Sequence, residues 1–88
     1  MLNQLKTNKM EARNLNVIAK EIKKDWTKVY FGAVPYLQAM ETLTSINDSY
    51  GYDSAKSIVI YFLSNASTWR GETAKRIKVE LKKLAGIK

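Results

Sequence analysis

The 88-residue sequence contains no cysteine and no histidine. Without cysteine there is no disulfide, no thiolate nucleophile and no thiolate metal ligand, and such a chain fits a reducing compartment. Without histidine it lacks the side chain best suited to proton transfer near neutrality and the commonest metal ligand. Long apolar runs are missing as well. The longest, Ile58 to Leu63, is six residues, against the about 20 needed to cross a bilayer, so no membrane partner is expected. The first ten residues include Asn3, Gln4, Lys6, Asn8 and Lys9 and hold no apolar signal core. Leu at position 2 and the lack of cysteine argue against lipid anchors. The expected location is the cytoplasm, where the Asn-x-Ser triplets at Asn47 and Asn65 are chance matches to a glycosylation pattern.

Charge is what the chain has in excess, at a net +7. It is unevenly placed. Residues 1–30 carry seven Lys/Arg against three acids, residues 31–66 one against three, and residues 67–88 seven against two. Two basic ends around a slightly acidic middle point to a polyanion or an acidic protein surface as partner. The 45% apolar share is that of a folded protein, and the length suits one domain with one core.

Periodicity predicts an all-α, single-domain bundle of about four helices over residues 10–88, preceded by a flexible polar arm at 1–9. From about Met10, the residues Leu15, Ile18, Ala19, Ile22, Trp26 and Val29 recur at steps of three and four, a long amphipathic helix with Gly32 as its stop. Pro35 suits the first turn of a short second helix through about Thr44. Ser45 to Asp53 reads as turn chemistry. Asp53 or Ser54 caps a third helix through about Ala66, which its apolar circumference makes the most buried one. The run from Ile58 to Leu63 also has strand character, but no partner strand is evident, and a lone strand leaves its backbone unpaired. Ser67 or Thr68 caps a basic fourth helix to about Ala85, with Ala74, Ile77, Leu81 and Leu84 inside and Gly86 as its stop.

Chemistry-bearing motifs are weak. Gly51-Tyr52-Asp53-Ser54-Ala55-Lys56-Ser57 ends like a phosphate-binding loop, but it lacks the glycine before the lysine, is a residue short, and has no preceding strand. A calcium loop counted from Asn47 or Asp48 would need a carboxylate where Ile58 or Val59 stands. The eight acids are interleaved with lysines, and no base accompanies a serine or threonine nucleophile. No enzyme activity, cofactor or metal is expected.

The basic faces carry the functional expectation. Arg13, Lys20 and Lys24 lie opposite the first helix's apolar stripe, and Lys75, Lys78 and Lys82 form a solvent row on the last. If those two helices pack side by side, the six cations make one positive surface for phosphates. A solvated helix side is the plain reading of the same pattern. Segments three and four have the element order of a helix-turn-helix, but Trp69-Arg70-Gly71 intrudes at the turn. Trp69 and Arg70 are residue types common in binding hot spots, and form a candidate protein-binding anchor; the plainer reading folds Trp69 inward. The Tyr30-Phe31 and Tyr36 cluster reads as corner packing, since no sheet is there to present it to bases. Outward Val17 and Val79 leave a homodimer open.

The blocks Val29-Tyr30-Phe31-Gly32-Ala33-Val34-Pro35-Tyr36-Leu37 and Tyr61-Phe62-Leu63-Ser64-Asn65-Ala66, continued by Thr68-Trp69-Arg70-Gly71-Glu72-Thr73-Ala74, resemble a group of small proteins of phages and other mobile elements of Gram-positive bacteria. The resemblance spans about residues 20–84 and leaves the segment before residue 15 uncovered. It implies an intracellular accessory protein, and brings no catalytic or binding residue with it. Two functions fit: association with DNA or another polyanion through the basic faces, or docking on an acidic host or element protein with Trp69 and Arg70 as anchor.

Overall fold

A computed structural model of the chain describes residues 12–87. Four α-helices carry it: α1 (Leu15–Asp25), α2 (Val34–Glu41), α3 (Ala55–Ser64) and α4 (Glu72–Ala85). Helix α1 packs on α2 and α4, and α3 packs on the same two, so the chain closes a ring of four neighbours. The polar arm expected at residues 1–9 lies outside the described residues.

The apolar stripe of α1 is buried as its spacing requires: Leu15, Ile18, Ala19 and Ile22 are wholly inside. Yet the helix is shorter than the stripe. It ends at Asp25, and Trp26 leaves helical geometry with φ −97° and ψ 83° while remaining buried. Side-chain periodicity reports which residues face the core and continues past the point where the backbone turns. At the other end, two N–H groups of α1 are met from outside the helix. Leu15 donates to the Thr44 carbonyl and Asn16 to that of Leu43, both at 2.9 Å, pairing donors that a helix start leaves free.

A turn of 3-10 helix (Phe31–Ala33) leads into α2, with Pro35 in the first turn as its fixed φ favours. Gly32 therefore does not stop α1. Its lack of a side chain permits close approach: a Cβ there would lie 2.6 Å from the Tyr30 ring and 2.8 Å from Asn65 Oδ1.

The fold is mostly helical and not purely so. Ser49–Tyr50 (β1) and Asp53–Ser54 (β2) pair antiparallel, Ser49 opposite Ser54 and Tyr50 opposite Asp53, around Gly51 at φ 62°. The loop leading into this hairpin is held by Asp48, whose carboxylate accepts the Thr44 and Ser45 N–H groups at 3.0 and 2.9 Å and is thereby held below its ordinary pKa. Ser54 then caps α3, its hydroxyl accepting the Ser57 N–H at 3.0 Å.

Helix α3 buries Ala55, Ile58, Val59 and Phe62, confirming a helix over the apolar run. It is not enclosed on every side: Tyr61 is exposed, and Ile60 and Leu63 are half-buried, because α2 and α4 cover only part of its circumference. Helix α4 begins later than its sequence indicates, with Gly71 at φ 115° as its cap instead of Ser67 or Thr68. The seven residues between α3 and α4 exceed the tight turn of a helix-turn-helix unit. Gly86, at φ 74°, ends α4 as expected. Among the described residues, no helix is long and apolar enough to cross a membrane.

Candidate nucleic-acid interface

Where α1 meets α4 the surface is not positive. The Arg13 guanidinium donates to Glu80 through Nε at 2.8 Å and through a terminal nitrogen at 2.6 Å, and to Glu21 at 2.9 Å. Arg76 closes the network on the other oxygen of Glu21. Two arginines and two carboxylates thus clasp the helices in a charge-neutral seam. The Arg13 bonds raise its own pKa, with the Glu80 hydrogen bonds the largest cause, and Glu21 is held below the ordinary carboxylate value by Arg13 and Arg76. Arg13 is accordingly a structural cross-link, its donors directed at acids of this chain.

Lys20 and Lys24 are exposed on α1. They are not joined to the α4 row. Lys78 and Lys82 each follow a seam residue, Arg76 and Glu80, by two positions, a rotation of about 200° around the helix. The row of Lys75, Lys78 and Lys82 therefore occupies the flank of α4 turned away from α1. The single surface expected from Arg13, Lys20, Lys24, Lys75, Lys78 and Lys82 divides into two, with the neutral seam between.

The α4 flank is the more concentrated half. Lys78 bends back over the preceding loop, its Nζ donating to the Trp69 carbonyl at 2.6 Å and lying 5.8 Å from the Trp69 ring centre. Partial burial lowers its pKa, and the charges of Lys82 and Arg70 lower it further. Two cations acting on a third mark a local positive field. Lys75, Lys82 and Arg70 are exposed. Among the described residues, the ion pairs involve Arg13, Lys23 and Arg76, and none of these four cations.

Trp69 itself is inside, 2% exposed. It stacks on Trp26 at 5.7 Å and 11°, meets Phe62 edge-on at 6.3 Å, and donates its indole N–H to Asp25 at 2.8 Å. An exposed anchor at Trp69 is thereby replaced by a core role, because a flat indole with one polar atom fills the gap that the α1 and α4 ends leave. Arg70, next to it, remains on the surface.

The Tyr30-Phe31 pair shows the reverse. Packing was the expectation, yet Phe31 is 80% exposed and Tyr30 43%. The turn of 3-10 helix points Phe31 outward while Ala33, two residues on, is buried. Sequence reasoning names the pair but reads it as packing, and it leaves Lys28 out of the candidate surface; two aromatics in succession at the end of an amphipathic stripe are the signal that one of them faces out. Lys28 and Arg70 line one depression with Asp25, Trp26, Thr27 and Thr68.

Among the described residues no group of three or more acids could hold a metal ion, and no charged or polar residue is buried. Comparison with protein-family models, curated proteins and solved structures gives no match to this chain.

Proposed function

We propose that the protein is a non-catalytic accessory protein that associates with nucleic acid through the α4 flank, with Lys75, Lys78, Lys82 and Arg70 contacting phosphates. One observation carries the reading: four neighbouring cations have no carboxylate partner among the described residues, whereas the arginines of the seam do. Uncompensated lysines on a rigid helix are what sequence-tolerant phosphate binding requires. The setting in a phage or mobile element of a Gram-positive bacterium rests on the sequence blocks around Tyr30, Tyr61 and Trp69. Docking on an acidic protein by a Trp69 anchor has less support, because the indole is occupied within the core.

Fluorescence anisotropy of labelled DNA at rising salt tests this. Neutralising four phosphates lowers affinity about 50- to 150-fold between about 50 and 200 mM salt. A complete lack of binding at low salt overturns the reading.

A further inference from the structure

Among the described residues the exposed Tyr30-Phe31 pair is not packed against the core, and its surroundings specify the chemistry of a partner. The two rings lie 4.8 Å apart, tilted by 55°. Their base is fixed: the Ala33 N–H donates to the Tyr30 carbonyl at 2.8 Å. Gly32 beneath allows the Tyr30 ring and Asn65 to close in on the backbone. Asn65 in turn is tied to the Tyr61 carbonyl at 2.9 Å. Phe31 is thus presented on an ordered turn.

Cations stand close by along the chain. Lys28 lies three residues before Phe31, within about 11 Å along the chain, and lines one depression with Arg70. Arg70 in turn adds to the field on Lys78. The one carboxylate lining that depression, Asp25, accepts the Trp69 indole N–H. The apolar area is small. Tyr30 at 43% and Phe31 at 80% exposure offer about 250 Å² together, well short of the about 800 Å² per side of a stable protein interface. Two exposed rings on a turn that leads back through Lys28 to a depression lined by Arg70 match a partner that alternates flat apolar faces with negative charge.

We infer that the Tyr30-Phe31 turn is a stacking platform for the bases of single-stranded nucleic acid, whose backbone runs past Lys28, Arg70 and Lys78. Paired bases in a duplex present only their edges to a protein, while an unpaired strand offers its ring faces. The inference rests on the nucleic-acid reading above and adds strand selectivity to it.

The test compares one labelled oligonucleotide, single-stranded and as duplex, with the wild type, Phe31→Ala and Phe31→Trp. The expected result is tighter single-strand binding by the wild type. Phe31→Ala then weakens single-strand affinity about 5- to 150-fold, leaving duplex affinity and the thermal midpoint unchanged, and Phe31→Trp retains the preference. Equal binding of both forms, or a preference that survives Phe31→Ala, overturns the platform and leaves the α4 reading standing. Failure of both forms to bind removes that reading and the platform together. A concentration-dependent dimer that Phe31→Ala abolishes in sedimentation assigns the patch to a second copy of the chain and also overturns the inference.

Discussion

Replacing Trp69 by alanine separates a core role from a surface one. The side chain is 2% exposed, stacked on Trp26, set edge-on to Phe62 and bonded to Asp25. Truncating a buried tryptophan costs about 3–5 kcal/mol through lost transfer energy and the cavity left behind. Domains of this size are stable by only about 5–15 kcal/mol in all, so the loss is at least about a fifth of the margin and reaches all of it at the low end. At about 4–8 °C per kcal/mol for a chain this short, the thermal midpoint falls by about 12–40 °C. Trp69→Phe keeps an aromatic ring but loses the indole N–H, with an expected cost of about 1–3 kcal/mol. Urea unfolding followed by far-ultraviolet circular dichroism measures both. A Trp69→Ala variant with the wild-type midpoint would refute the packing, and would return Trp69 to the surface as an anchor.

The remaining predictions concern the seam and the aromatic turn. Glu21 has its pKa lowered by Arg13 and Arg76 in the folded protein, so its contribution to stability is complete above the ordinary carboxylate value of 4.5 and is lost as pH falls through the lowered one. Glu21→Gln should reduce stability at neutral pH by no more than about 1 kcal/mol and make the urea midpoint less sensitive to acid; an unchanged acid profile would show the clasp to be inert. Gly32→Ala places a methyl group against the ends of the Tyr30 and Asn65 side chains, which can move, so a cost of about 1 kcal/mol is expected. A loss near zero in urea unfolding would mean that the turn is more open than described.

The parts of the fold legible in the sequence are those set by local chemistry. Pro35 in a first turn, Ser54 as a cap and Gly86 as a stop each act through their own backbone or the next turn, and all three are where their residue types place them. The α1 stripe is legible for the same reason, but its end is not, because Trp26 stays buried by leaving the helix for the Trp69 ring. The hairpin escaped notice because its strands are two residues each, too short for an alternating pattern. The candidate site was half legible. Lys75, Lys78 and Lys82 share a flank by their spacing alone. Arg13 could not be sorted from them, since its partner Glu80 is 67 positions away and only the closed ring of helices brings the two together. Trp69 takes the inward place that its plainer reading gives it, while Phe31 does not: composition names both as sticky residues, and only the path of the backbone decides which faces inward.

The α4 flank is tested most directly by measuring the salt dependence of DNA affinity in two double variants. Lys75→Gln/Lys82→Gln should weaken binding and lower the magnitude of the log–log salt slope by about 2, one per phosphate contact removed, while Lys20→Gln/Lys24→Gln leaves the slope close to that of the wild type. An undiminished slope in the α4 variant, or a loss confined to the α1 variant, would contradict a phosphate-binding surface on that helix.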